Sequence, residues 1–192
     1  MSSRTNLTRE DWIYAAQHVL VTSGVDAVRV DTLAKELKIT RGSFYYHFKS
    51  RSELLEGILD NWRVRATEEV ILHLRNAHSS PLQQLQRLLE LPSHGRTAKD
   101  AAAIELGIRA WARRDKQARR AIDEVDSHRL NHIEGLLIQA GIPSHEAQDR
   151  AYLMYAYQIS LSLLHKDETL QQRAQRNLRI ASILIPEESA PI

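Results

Sequence analysis

A short stretch at positions 44–48 gathers side chains that could bind a polyanion. It reads FYYHF, and Arg41 and Ser43 come just before it. Side chains four positions apart on a helix share a face, so Phe44 and Phe48 can pack inward while their neighbours point elsewhere. Arginine and serine can bond to base edges in the major groove, and tyrosine hydroxyls can bond to phosphates. The stretch predicts a DNA-contacting helix; the alternative is that it forms hydrophobic core only.

The cysteine count and the hydropathy limit the class of protein. None of the 192 residues is cysteine, which excludes disulfide scaffolds, thiolate zinc sites, iron–sulfur clusters and cysteine nucleophiles. A reducing compartment is the environment that this composition favours. No apolar run is long enough for a secretory signal or a membrane span. We therefore expect a soluble, cytoplasmic protein with no membrane partner.

Charge is distributed unevenly along the chain. The formal net charge is only +2, which is weak evidence for a polyanionic partner. Four basic residues nevertheless fall within thirteen positions, namely Arg29, Lys35, Lys38 and Arg41. The local excess of positive charge therefore lies around the residues that could contact DNA.

Apolar residues recur with helical spacing along almost the whole sequence, and no alternating run is bounded by hairpin turns. This periodicity predicts an all-α fold of about nine helices. Helix one follows Thr8 and stops at Gly24, and helix two covers positions 30–37. A three-residue turn then leads into a third helix, which runs from an N-cap at Thr40 to about Phe48. Two short helices joined in this way are a helix-turn-helix.

The remaining elements predict a second, larger helical region. Ser50 and Glu53 form a capping box for a long fourth helix. Five further helices are predicted at positions 81–91, 98–113, 115–140, 144–164 and 168–185. We expect a helix-turn-helix domain over residues 1–50 and a helical bundle over residues 51–192.

The segment GVDAVRVDTLAKELKITRGSFYYHFKSRSELL, residues 24–55, closely resembles the tetracycline-repressor (TetR) family of bacterial transcriptional regulators. The later IELGIRAWARRD, residues 104–115, is similar to regulatory domains of that family. The resemblance implies a cytoplasmic homodimer that binds a palindromic double-stranded DNA operator. It also implies a dimeric repressor that a small-molecule effector releases, with ligand-binding and dimerisation functions in residues 51–192.

The resemblance also implies which residues contact DNA. Base contacts are expected from Arg41, Ser43 and Tyr45. Phosphate contacts are expected from Thr40, Tyr46, His47 and Lys49. Two positions depart from the family pattern, because Lys38 stands where glycine is common and Arg29 stands where serine or threonine often caps helix two. Arg29 cannot accept bonds from backbone amides, but it could reach a phosphate.

Dimerisation has a physical reason as well, since two tethered copies about 34 Å apart add their binding energies and read a palindrome. By the family pattern the last two helices pair between protomers. Their apolar stripes supply the interface candidates, and the alternative for these residues is a place in the core. The candidates are Tyr152, Tyr155, Ile159, Leu163 and Leu178.

The effector cavity is expected in the larger region, lined by bulky residues that suit a largely apolar ligand. Each candidate has plain core packing as its alternative. Glu105 and Arg109, one turn apart, could anchor a polar group of the ligand or form an ordinary ion pair. The candidates are Trp62, Glu105, Leu106, Arg109, Trp111, Met154 and Tyr157.

Other function classes receive less support from the sequence. His128, His132 and Glu124 have a spacing that could hold a metal, but a solvated helix face is the expected interpretation, with no metal and no cofactor. No phosphate loop, nucleophile elbow or zinc-protease helix is present, so no enzyme is predicted. The alternative function is a helical adaptor that binds a protein through the helix-three aromatics. The salt dependence of binding distinguishes the adaptor from a DNA-binding protein, because DNA binding weakens steeply as the salt concentration rises.

Overall fold

The structure is a computed structural model that describes residues 7–68, 71, 79–90, 95–164 and 168–185. Within these residues it contains nine α-helices and no β-strand, which confirms the predicted all-α fold. A 3₁₀ turn at Val25–Ala27 precedes the second helix, and a π-helical turn at Val64–Glu68 follows the fourth. The helices are α1 (Arg9–Ser23), α2 (Val30–Glu36), α3 (Arg41–Phe44), α4 (Arg51–Arg63), α5 (Pro81–Glu90), α6 (Gly95–Ala112), α7 (Lys116–Gln139), α8 (Ser144–Leu163) and α9 (Leu170–Leu184).

The chain forms two compact units. The first contains Met1–Arg65 and Ala103–Ile122, and the second contains Ala66–Ala102 and Asp123–Ile192. The first unit therefore combines the helix-turn-helix with α4 and with the region where α6 ends and α7 begins. These units are defined by packing, and the boundary expected after Ser50 stays a prediction.

Helix α1 is the base of the first unit. Thr8 caps it, since the Thr8 hydroxyl accepts a bond from the amide of Asp11 at 3.2 Å and the Asp11 carboxylate accepts one from the Thr8 amide at 2.7 Å. The donation from the Thr8 backbone, and then from its hydroxyl, lowers the pKa of Asp11 below its ordinary value. The helix buries Trp12, Ala16 and Leu20 and packs against α2 and α4.

The turn between α2 and α3 contains Lys38, at the position where glycine is common in the family. Lys38 has φ of 57°, in the left-handed region that favours glycine. The Lys38 amide donates to the carbonyl of Lys35, and the Ile39 amide donates to the carbonyl of Ala34 at 2.9 Å. This pair of bonds is a Schellman motif, which ends a helix at a left-handed residue. The positive φ considered for Lys38 is confirmed, and it directs the chain from α2 into α3.

The second unit has its own core, built from α5, α7, α8 and α9. Two side-chain amides satisfy carbonyls in the last turn of α5, where no intrahelical partner is available. Gln158 of α8 donates to the carbonyl of Leu88 at 2.8 Å. Asn177 of α9 is buried and donates to the carbonyl of Leu89 at 3.1 Å. These bonds fix the end of α5 against both of the last helices.

The described residues include no helix that is both long enough and apolar enough to cross a bilayer.

Replacing Lys38 with glycine should raise the free energy of unfolding by up to about 1 kcal/mol, because glycine adopts a positive φ without steric cost. Lys35→Gly is the matched control, since Lys35 is an exposed lysine in the right-handed part of α2. There the same change should lower stability by about 1 kcal/mol. Urea denaturation of both variants measures this, and equal losses would show that Lys38 carries no backbone strain.

Candidate nucleic-acid interface

Two phenylalanines hold the aromatic stretch onto the first unit. Phe44 and Phe48 are both buried, with ring centroids 5.3 Å apart and nearly parallel planes. The Phe44 ring also meets the edge of Trp12 from α1 at 5.3 Å. The guanidinium of Arg9 lies 4.8 Å from the centroid of the Phe48 ring. The inward-facing half of the stretch is therefore tied to α1, in agreement with the predicted packing.

The two tyrosines between them face outward. Tyr45 is 58% exposed and Tyr46 is 88% exposed. His47 is half-buried. Large exposed aromatics that are not needed for the core are unusual on a soluble domain and indicate a contact surface. The core alternative thus accounts for Phe44 and Phe48 only.

The third helix is shorter than predicted as a regular α-helix. Its α-helical bounds are Arg41–Phe44, whereas the sequence predicted an end near Phe48. The amides of Tyr45, Tyr46 and His47 bond to carbonyls three residues back. This tighter 3₁₀-like winding continues the helical path to Phe48, whose amide bonds to the Phe44 carbonyl at 3.0 Å. The backbone remains helical in direction, but the tyrosines lie on a narrower spiral.

The start of α3 presents its polar residues to solvent. Thr40 occupies the predicted N-cap position, although its side chain makes no capping bond. Arg41 is exposed, and its Nε lies 2.8 Å from the carboxylate of Asp31 in α2. Ser43 is half-buried and Lys49 is exposed. The predicted DNA-facing residues of α3 and its flanks therefore follow one continuous segment, with Arg41 oriented by an acidic neighbour.

The turn before α2 accepts hydrogen bonds from one predicted residue and from one that sequence reasoning missed. Arg29 is the N-cap of α2 and makes no capping bond; instead its Nε donates to the carbonyl of Asp26 at 2.9 Å. Arg51 was not predicted, yet it donates to the carbonyls of Val25 and Val28, both at 2.6 Å. A cation in the first turn of a helix is unfavourable for the helix dipole. The unfavourable position of Arg51 at the start of α4 was therefore the sequence signal that this residue does something other than stabilise its own helix.

The candidate cavity residues divide between the two units. In the first unit Trp62 and Trp111 are buried and Leu106 is half-buried. Arg109 donates to Glu105 at 2.8 and 3.1 Å. These two side chains are only 21% and 17% exposed, so this ion pair is partly shielded from water.

The other two cavity candidates belong to the second unit. Met154 is fully buried in its core cluster, and Tyr157 packs against that cluster. The Tyr157 hydroxyl donates to Asn177 at 2.7 Å and accepts from Arg176 at 3.1 Å. Both residues therefore have structural roles within the second unit.

The candidate dimer residues do not all face solvent. Tyr152, Leu163 and Leu178 are exposed, and Ile159 is partly buried against the core. Tyr155 is only 5% exposed, and its hydroxyl donates to Asp126 at 2.6 Å. Because its side chain is satisfied inside its own chain, Tyr155 belongs to the core and not to the exposed face.

The histidine pair is not part of a metal cluster in the described part of the chain. There, no three histidine, cysteine, aspartate or glutamate side chains lie close enough to hold a metal ion. His128 and Glu124 are exposed on α7, and His132 is half-buried.

These elements define a helix-turn-helix protein with a basic and aromatic outer surface. A family model described as bacterial regulatory proteins, tetR family, matches residues 13–58, which include most of α1, the helix-turn-helix and the start of α4. Residues 13–58 therefore match the family that the sequence resemblance predicted.

Known proteins resemble the chain in part by sequence and nearly throughout by fold. The HTH-type transcriptional repressor BepR of Brucella suis biovar 1 (strain 1330) is 29% identical over 80 residues, which are 42% of this chain and 38% of that protein. The chain spans well under half the length of the curated relatives that it matches.

Two solved structures extend the likeness of fold beyond the helix-turn-helix. A transcriptional regulator from Rhodococcus sp. Rha1 superposes with a TM-score of 0.74 at 17% identity, covering 93% of this chain and 96% of that one. A transcriptional regulator from Saccharomonospora viridis, solved in complex with choline, gives 0.74 at 18% identity, covering 89% and 93%. Both structures are described as those of transcriptional regulators.

Arg51→Met should lower the free energy of unfolding by roughly 1 to 2 kcal/mol, because two carbonyls lose a charged donor and partly buried bonds. Arg29→Met is the matched control, since it removes one exposed bond to the same turn and should cost less than about 0.5 kcal/mol. Urea denaturation of both variants compares them. Equal effects would mean that Arg51 does not hold the turn.

Proposed function

We propose that the protein is a ligand-responsive transcriptional regulator, a dimeric repressor that binds a palindromic operator and is released by a small molecule. The observation that carries this proposal is the outward-facing pair Tyr45 and Tyr46, held in place by the buried Phe44 and Phe48. The match of residues 13–58 to a family of bacterial regulatory proteins supports it. The proposed place of action is the cytoplasm, and no catalytic step is assigned to any residue.

The residue roles follow from chemistry and position. Arg41, Ser43 and Tyr45 would read base edges, since guanidinium and hydroxyl groups match the donors and acceptors of the major groove. The phosphate backbone would be contacted by Arg29, Thr40, Tyr46, His47 and Lys49. Residues 1–50 would thus form the DNA-binding domain, and residues 51–192 would bind the effector and the second protomer.

The second protomer would pack against the last two helices. Tyr152, Leu163 and Leu178 are exposed there. Ile159 adds a partly buried edge to this surface. Large exposed apolar side chains clustered on neighbouring helices are costly in water and suit an isologous dimer interface.

The effector would be a small, largely apolar molecule. Trp62, Leu106 and Trp111 would offer apolar surface for it in the first unit. The shielded pair Glu105 and Arg109 would hold a polar group of the ligand. Its binding would favour a dimer with wrongly spaced α3 segments, and inverting a 99 to 1 equilibrium needs about 5.5 kcal/mol of differential affinity.

Selection of random duplex DNA by the purified protein tests the operator proposal. The parent should enrich a palindrome, and a Ser43→Ala, Tyr45→Ala variant should lose the enrichment because the base contacts are gone. A matched control, Ser23→Ala with Tyr14→Ala, removes an exposed serine and tyrosine from α1 of the same unit. It should enrich the same sequence as the parent.

Failure of the parent to enrich any sequence, with binding to bacterial proteins that is insensitive to salt, would contradict the proposal and favour the adaptor function. Enrichment by all three proteins would place base reading elsewhere. The enriched duplex then serves as the probe for release by candidate effectors.

Leu178→Asp should convert the dimer into a monomer, because a desolvated carboxylate has no partner in an apolar interface. Leu178→Met keeps an apolar side chain of similar volume and should stay dimeric. Sedimentation equilibrium measures both masses. A dimeric aspartate variant would exclude Leu178 from the interface.

A further inference from the structure

The corner between α6 and α7 is strongly basic. Residues 113–120 read RRDKQARR, with five cations and one acid, so this segment has a net charge of +4 while the whole chain has +2. The five basic side chains are Arg113, Arg114, Lys116, Arg119 and Arg120, and all of them are exposed. We call them the basic corner. Neither the proposed base contacts nor the proposed effector cavity uses them.

The corner is rigidly attached to its unit on its inner side. Trp111 is buried just before it, and Ala118 and Ala121 are fully buried within it. The single acid, Asp115, is used locally, since its carboxylate accepts bonds from the amides of Gln117 and Ala118, both at 2.9 Å. This capping bond orders the first turn of α7. The cations are therefore presented on a fixed backbone.

Within the same unit, the corner touches the start of the helix-turn-helix. The guanidinium of Arg114 lies 3.4 Å from the carboxylate of Asp26, which belongs to the 3₁₀ turn before α2. Arg29, the N-cap of α2, donates to the carbonyl of the same Asp26. Arg114 and Arg29 thus both contact this one residue. The basic surface of the corner continues into the N-terminal end of α2.

The Arg114–Asp26 pair can readily exchange partners. The two side chains are 70% and 75% exposed, and ion pairs exposed to that degree contribute little to stability. Arg113, Lys116 and Arg120 make no ion pair within the described residues. A guanidinium so weakly held can bind a phosphate, which accepts two of its N–H groups at once.

A helix-turn-helix fixes which polyanion would reach this surface. When the second helix of the motif lies in the major groove, the first helix crosses the phosphate backbone. The N-terminal end of α2 would then meet phosphates, and the basic corner is the next surface along. Since the corner and α3 are parts of one compact unit, its cations are carried to the DNA together with the reading residues.

We propose that the basic corner is a second phosphate-binding surface, which contacts the operator backbone beyond the phosphates reached by α2 and α3. This inference rests on the proposed function, because it needs a bound operator. The corner adds affinity and salt dependence without adding base specificity, since phosphates carry no sequence information.

The test uses the full-length protein and the duplex enriched by selection, extended by about ten base pairs, roughly one helical turn, on each side. A variant with Arg113→Gln, Lys116→Gln and Arg120→Gln leaves the Arg114–Asp26 pair in place. Its affinity should fall about tenfold near 100 mM salt, and the slope of log K against log salt should decrease by about 0.9 for each phosphate that the corner no longer neutralises. Ethylation interference should disappear at phosphates outside the α3 half-sites, while the selected sequence is unchanged.

Two further variants keep the test independent of folding and of total charge. Arg87→Gln with Arg179→Gln removes two exposed cations from the second unit and should leave the slope at the parent value. Asp26→Asn removes the acid beside the proposed phosphates and should tighten binding several-fold, which a damaged fold would not do.

The outcomes separate this inference from the proposed function. A parent that enriches no duplex contradicts the proposed function itself. A parent that enriches a palindrome, with the same salt slope and the same phosphate interference in the corner variant, overturns the inference alone. A change of selected sequence in the corner variant would also overturn it, because the corner would then read bases.

Discussion

The burial of Phe44 between Trp12 and Phe48 is the constraint on which the packing of the first unit depends. Consecutive residues of a helix are rotated by about 100°, so a fixed inward direction for Phe44 also sets the directions of its neighbours. Tyr45 and Tyr46 are consequently exposed. The core contact and the functional surface therefore come from one short segment, and neither can rotate without disturbing the other.

The parts of the fold that depend on local pattern were predictable. All five later helices have ends within three residues of those expected, because apolar spacing is a property of the segment itself. The left-handed backbone at Lys38 was anticipated because the family pattern often has glycine there. The tightening after Phe44 was not anticipated. Phe48, where this segment ends, packs under Arg9, and a contact so distant in sequence is not encoded in helical periodicity.

In the second unit, too, contacts between residues distant in sequence could not be predicted from periodicity. Tyr152 and Tyr155 have equivalent places in an apolar stripe, yet one is exposed and the other is buried. The difference comes from Asp126 and Arg129 on α7, which bond to the Tyr155 hydroxyl. Polar partners that lie more than twenty positions away leave no trace in helical periodicity. For the same reason the two carbonyl bonds made by Arg51 could not be foreseen from its neighbours.

In the proposed operator complex, the bond between Arg41 and Asp31 would affect discrimination between DNA sequences. A carboxylate 2.8 Å from the guanidinium is an intramolecular competitor for it, and any base that Arg41 reads must offer better acceptors than Asp31 does. Because the pair is exposed, moving the Arg41 guanidinium from Asp31 to a base costs little free energy. The move is favourable where the base offers two well-placed acceptors and unfavourable where it does not. Asp31 would thus set a threshold that a wrong base does not exceed, and the arginine would bind with part of its rotamer entropy already lost.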